Sequence, residues 1–272
     1  MRPPVYLSLT SIYNNQSILL NTLRTVLKQT VMPDRIFLYL SEEAWLLDEG
    51  FPGRVITNPA LKTLLDENPI ISVEWVENTG PFRKLLPLLK EKWEEDCLII
   101  TIDDDLHMIE TFVESMVIDY NLYGCSISNE GHTPSFSSIY DFEYWTRSRP
   151  VPSSLTNFGV GCGGILYKPE FFRRTKDVLF DKSIYLSTCD KQDDVWFYLM
   201  RLLNDVPLRL SGRMYGYNDK NSHGLFLHFN IKPRANCDSL VNTVAALEKR
   251  GFSFEGLSGG PPRTNIMFLR GV

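Results

Sequence analysis

The sequence predicts an α/β protein built on a mostly parallel sheet with helices on both faces. Three observations carry that expectation. Strand-like runs alternate with segments of helical periodicity through the first half of the chain. One of those runs, Cys97-Leu98-Ile99-Ile100-Thr101-Ile102, is almost uniformly apolar, as a strand covered on both faces must be. The composition is that of an ordinary folded domain: 272 residues, 43% hydrophobic and 22% charged, which excludes a disordered or low-complexity chain.

The elements follow in order. Val5-Tyr6-Leu7-Ser8-Leu9 reads as a first strand, and Gln16 to Lys28 places Leu19, Leu23, Val26 and Leu27 on one helical face. Arg35 to Leu40 is a second strand. Pro52, Gly53 and Pro59 mark a turn region before a short helix near Lys62 to Leu65, and Ile71 to Val76 alternates as a third strand. Pro81 near its start predicts one helix over Pro81 to Glu91. After the apolar fourth strand, Ile109, Phe112, Val113, Met116, Val117 and Tyr120 fall at helical spacing. The second half is less regular: a strand around Ser138 to Trp145, a turn-rich piece over Pro150 to Asn157, and the glycine-rich Gly159 to Gly164. A helix over Asp194 to Leu203, a strand over Val206 to Leu210 and a last helix from Asp238 as N-cap to Arg250, closed by Gly251, complete the domain. Residues 1–255 are expected to form it, with 256–272 as a flexible tail.

With 28 Lys+Arg against 33 Asp+Glu the net charge is −5 and no basic run occurs, so nucleic acid is disfavoured as a partner. No apolar stretch approaches the roughly 20 residues of a membrane span, and Met1-Arg2-Pro3-Pro4 does not begin a signal peptide. Five cysteines without a C-x-x-C pair fit reduced thiols, and a cytoplasmic location is expected.

In such sheets ligands bind at the carboxyl ends of the strands, where Asp103-Asp104-Asp105 lies. The D-x-D spacing lets two carboxylates on a loop leaving a buried strand reach one Mg²⁺ or Mn²⁺, although a solvated acidic turn has the same spelling. Adjacent like charges repel, which a cation would relieve. Asp193 and Asp194 begin a helix, where acids favour the dipole; one of them can instead serve as a general base, provided burial or a neighbouring negative charge offsets the dipole. Gly159 to Gly164 lacks dinucleotide-fingerprint spacing, but its glycines let backbone approach a sugar closely. Lys84 follows the third strand on the same sheet edge and is a candidate for nucleotide contact. His223 and His228 are candidates to complete an oxygen-rich cation site.

Taken in order, Leu7-Ser8-Leu9-Thr10-Ser11, Leu27-Lys28-Gln29-Thr30 with Pro33-Asp34-Arg35-Ile36, Leu38-Tyr39-Leu40-Ser41, Gly80-Pro81 with Lys84-Leu85-Leu86-Pro87, Ile102-Asp103-Asp104-Asp105, Gly163-Gly164-Ile165-Leu166-Tyr167 and Asp193-Asp194-Val195-Trp196 resemble the GT-A-fold glycosyltransferases related to family two, over roughly residues 5–250. The resemblance implies a Rossmann-like GT-A domain. Residues 1–107 would bind a nucleotide-sugar, UDP- or GDP-linked, and 108–255 a glycan or other hydroxyl acceptor. It implies Mn²⁺ or Mg²⁺ on Asp105 and Asp103, with His223 or His228 a further ligand. It places Thr10, Ser11, Ser41, Lys84, Asp103 and Asp104 around the donor, and Gly163, Gly164 and Trp196 around sugar or acceptor. It makes Asp194, with Asp193 as competitor, the base of an inverting hexosyl or pentosyl transfer. His107 departs from the aromatic or proline type expected after the D-x-D acids. A nucleotidyltransferase is the rival enzyme class, but Thr10 to Asn15 has none of the glycine- and basic-rich character of its phosphate loop. A non-catalytic nucleotide-sugar-binding protein is the alternative outside enzymes.

Overall fold

A computed structural model of the chain describes residues 2–134, 145–147, 150–219 and 235–254. In chain order the regular elements are β1 (Val5–Thr10), α1 (Gln16–Val26), β2 (Arg35–Leu40), α2 (Pro59–Glu67), β3 (Ile71–Trp75), α3 (Leu86–Glu91), β4 (Leu98–Thr101), β5 (Leu106–Met108), α4 (Phe112–Tyr123), β6 (Ser126–Ser128), β7 (Gly131–Thr133), β8 (Thr146–Arg147), β9 (Val151–Ser154), β10 (Phe158–Gly159), β11 (Ile165–Tyr167), α5 (Lys176–Leu179), α6 (Lys182–Thr188), α7 (Asp193–Leu203), β12 (Leu208–Leu210), β13 (Gly216–Asn218) and α8 (Ala235–Glu248).

The main sheet has the order β3-β2-β1-β4-β11-β6-β12-β9. β3, β2, β1 and β4 are mutually parallel, β6 and β12 share their direction, and only β11 and β9 oppose them. The period-two alternation of the strands sorts their side chains to two cores. Ile36, Leu38 and Leu40 of β2, with Leu7 and Leu9 of β1 and Ile100 of β4, pack on Leu19, Leu23 and Val26 of α1 and Phe112 and Met116 of α4. Phe37, Tyr39 and Ile99 face the other way, onto Leu88 and Leu89 of α3, Trp196 and Leu199 of α7 and Leu240 of α8. Helices therefore cover both faces, as expected. No helix among the described residues is long and apolar enough to cross a membrane.

Several elements differ from the sequence expectation for identifiable reasons. The single helix over Pro81 to Glu91 is split into a 3₁₀ segment, Gly80–Lys84, and α3, because Pro87 cannot extend a preceding helix and Leu85 adopts φ −130° and ψ −46°. The turn-rich Pro150 to Asn157 contains β9, an edge strand in which Pro152 is tolerated since one side of an edge needs no ladder donor. β6 and β11 are strands too short for their alternation to be read. α8 starts at Ala235, so Asp238 lies in its first turn and is not the cap. Its C-terminus does close at Gly251: with φ +86°, its N–H meets Glu248 O at 2.9 Å and the Phe252 N–H meets Leu247 O at 3.3 Å. Most of the strand expected over Ser138 to Trp145 lies outside the described residues, as does the tail 256–272.

Candidate functional site

The register of the parallel strands sets the site. Thr10 pairs with Tyr39, Ser8 with Thr101 and Leu40 with Trp75, so β1, β2, β3 and β4 end along one edge. β11 runs antiparallel to β4 with Ile165 opposite Thr101, which brings the preceding Gly161–Gly163 turn to that same edge. α7, anchored in the core by Val195, Trp196 and Leu199, presents its N-terminus there.

Three sequence motifs converge at this point. Lys84 Nζ lies 2.9 Å from Asp103 Oδ1 and 3.0 Å from Asp193 Oδ2. The first contact is a hydrogen bond; the second is an ion pair by distance without hydrogen-bond alignment. Lys84 is buried, and its own carbonyl accepts from Ser8 Oγ on β1, which fixes the segment carrying it. Burial pulls the Lys84 pKa down, but the charges of Asp103, Asp193 and Asp194 outweigh it and the pKa stands well above its ordinary value, so the side chain is an ammonium at neutral pH. Both oxygens of Asp194 accept from the Gly161 N–H, at 3.2 and 3.1 Å. A Cβ on Gly161 would lie 2.8 Å from Lys84 Nζ, 3.2 Å from Asp194 Oδ1 and 3.6 Å from Asp103 Oδ1, so any larger residue would displace the Lys84 ammonium from its present place among these carboxylates.

Burial first, and then the charge of Asp193, raises the Asp194 pKa to about 7 against the opposing pull of Lys84. This supplies the offset that a carboxylate in the first turn of a helix needs in order to act as a base near neutrality. Asp193 is also raised, by burial opposed by Lys84.

The D-x-D acids divide by direction. Asp103 is a third exposed and shares one oxygen with Lys84. Asp105 accepts from Asn218 Nδ2 at 3.1 Å, and its backbone carbonyl accepts from the Asp219 N–H at 2.7 Å. Asp104 is tied to the first helix: its carboxylate accepts from Ser11 Oγ and Asn15 Nδ2, and its carbonyl from Thr22 Oγ1. Burial raises Asp104 to about 7, with the charge of Asp105 adding to the shift. No group of three or more His, Cys, Asp or Glu able to hold a metal occurs among the described residues. Two hard-oxygen carboxylates, Asp103 and Asp105, fit a Mg²⁺- or Mn²⁺-type cation that arrives with phosphate oxygens and water, which needs no all-protein cage. His223 and His228 lie outside the described residues. His107 sits beside the loop, 3.3 Å from Asp219 Oδ2 and stacked on Tyr217.

The other expected donor-side residues reach the edge with hydroxyls already engaged. Thr10 Oγ1 donates to Tyr39 O at 2.8 Å, and Ser41 Oγ accepts from Arg83 Nη1 at 2.7 Å. Trp196 does not reach the site: it is fully buried and its indole N–H donates to Leu179 O, because α7 turns that side chain to the core. Gly163 and Gly164 are buried and packed. A Cβ on Gly163 would sit 2.5 Å from Glu130 Cβ; one on Gly164, whose φ is +78°, would sit 2.5 Å from Phe112 Cζ. Gly164→Ala should therefore lower stability by about 1–3 kcal/mol, read as a shift in the urea midpoint.

One group was not legible beforehand. Arg83 is buried, with Nη2 3.0 Å from Asp48 Oδ2 and Nε donating to Gly80 O. Asp48 also accepts from Asn78 Nδ2 and from the N–H groups of Tyr13 and Gly50. Arg83 adjoins Lys84 in the sequence, but nothing local marks it as buried, since its partner Asp48 comes from the irregular segment after β2.

No protein-family model matches the chain, and no curated protein matches it in sequence. Its fold does match solved structures. S. aureus TarS 1-349 in complex with UDP aligns with a TM-score of 0.53 at 13% identity, over 79% of this chain and 60% of that one. The same protein in complex with UDP-GlcNAc gives 0.52 at 13% identity, over 82% and 60%. Another structure of S. aureus TarS gives 0.52 at 14% identity, over 93% of this chain and 44% of that one. The chain thus spans less than two thirds of the length of these neighbours, and the likeness is one of fold: a GT-A-type α/β arrangement around a mostly parallel sheet.

Proposed function

We propose that the protein is a nucleotide-sugar-dependent glycosyltransferase that moves a hexosyl or pentosyl group to a hydroxyl acceptor with inversion. The observation that carries this reading is the meeting of the Asp103–Asp105 loop and the Asp193–Asp194 helix terminus at Lys84 and Gly161, on the carboxyl edge of the parallel strands. UDP and UDP-GlcNAc in the TarS complexes make UDP-sugars the first donors to test.

In the proposed reaction the acceptor hydroxyl lies against the partly buried Asp194 carboxylate, held in place by the Gly161 N–H. Asp194 takes the hydroxyl proton as the acceptor oxygen bonds to the anomeric carbon; the bond from that carbon to the diphosphate oxygen breaks, and its electron pair leaves with the nucleoside diphosphate. A pKa of about 7 suits this task, because a base titrating near the working pH combines availability with proton affinity. A divalent cation on Asp103 and Asp105 would supply neutralisation of the departing diphosphate.

The test is release of nucleoside diphosphate from a panel of UDP- and GDP-sugars with Mn²⁺, followed by determination of the product anomer. Turnover to water or acceptor supports a transferase, whereas stable binding without product supports a binding protein. Asp105→Asn should abolish Mn²⁺-dependent UDP binding in calorimetric titration while leaving the melting temperature near wild type, since the amide keeps shape but loses charge. Unchanged affinity would remove Asp105 from the cation site.

A further inference from the structure

Lys84 is buried between the two acidic motifs, and its ammonium already occupies an oxygen of the carboxylate expected to meet a cation. Asp103 Oδ1 and Asp193 Oδ2 hold it from two sides, while Ser8 and Gly161 close on its backbone and head group. A divalent ion approaching Asp103 alone meets a fixed positive charge at hydrogen-bond distance from its ligand, and that repulsion is only partly screened, because the ammonium is buried while Asp103 is a third exposed. A diphosphate changes the balance, because its oxygens can accept from the ammonium and release Asp103.

Building on the transferase reading, we propose that Lys84 is a resident cation that gates the Asp103 site, so that a divalent ion binds weakly alone and strongly only together with a nucleoside diphosphate. Lys84 acts here as a positioning residue: it occupies Asp103 in the ligand-free state and transfers to the diphosphate on loading. The coupling is reciprocal, so the factor by which UDP tightens Mn²⁺ equals the factor by which Mn²⁺ tightens UDP. Asp193 has a part in the device: it retains the ammonium at the boundary between the motifs when Asp103 lets go.

The experiment measures Mn²⁺ binding to the full chain by the loss of the free-ion paramagnetic resonance signal, with and without UDP. The variants are Lys84→Met/Asp193→Asn and Asp193→Asn alone. The double variant removes both partners of the buried pair, so it leaves no uncompensated charge from that pair and is expected to fold. It also leaves the formal charge of the cluster unchanged. Mn²⁺ alone should bind the double variant about tenfold tighter than wild type, the order expected for relief of a partly screened charge contact, and UDP should no longer tighten it appreciably. Asp193→Asn, which keeps the ammonium on Asp103, should show no such tightening. Equal or weaker Mn²⁺ binding by the double variant, with Mn²⁺-dependent UDP binding intact, overturns the gate while leaving the transferase reading standing. If wild type shows no Mn²⁺-dependent UDP binding at all, the cation part of that reading fails and the gate fails with it.

Discussion

Asp194→Asn is expected to cut turnover by about 10²- to 10⁴-fold while donor and Mn²⁺ binding stay near wild type, the range that general-base catalysis supplies. The amide keeps the shape at the start of α7 and can still accept from the Gly161 N–H, so the loss reports proton transfer and not collapse of the turn. The wild-type pH profile should carry the same signature. A base must be deprotonated to act, so turnover rises with pH through about 7, the value to which burial and Asp193 raise Asp194, and levels off above it. Asn at 194 should remove that rise. Asp193→Asn is the control, because adjacent helical side chains point about 100° apart and Asp193 is committed to Lys84. If Asp193→Asn loses turnover and Asp194→Asn keeps it, the base is Asp193; if both remain active and the anomer is retained, the inverting mechanism fails.

Asp48→Asn is expected to lower unfolding free energy by about 3–5 kcal/mol, the cost of leaving a buried charge without its partner. Asp48 and Arg83 are each only 2% exposed in their side chains, so water cannot replace the lost carboxylate. Burial already pulls the Arg83 pKa below its ordinary value against the support of Asp48, so the guanidinium without that carboxylate is a buried charge hydrogen-bonded to neutral partners, Gly80 O and Ser41 Oγ. Asp48→Asn/Arg83→Met should recover most of the loss, since removing both charges removes the desolvation penalty with the attraction. Chemical denaturation of the single and double variants measures this; a single variant within about 0.5 kcal/mol of wild type would make the pair a bystander.

The β-α order of the first half, the helix carrying Asp193 and Asp194, and the position of Asp103–Asp105 at the end of a buried strand were all readable from residues alone, because hydrophobic periodicity and strand ends are local properties of the chain. A carboxylate's need for burial to work near neutrality also followed from its place at a helix start. Tertiary structure decided the rest. It turned Asp104 inward to Ser11 and Asn15 while leaving its neighbours at the edge, sent Trp196 to the core, inserted β11 against the sheet direction, joined Arg83 to Asp48 and set one lysine between two distant acidic motifs. The physical reason is the range of the forces involved: periodicity is written into residues three or four apart, whereas a buried charge finds its partner only after the topology has brought separate strand ends to one edge and excluded the water between them.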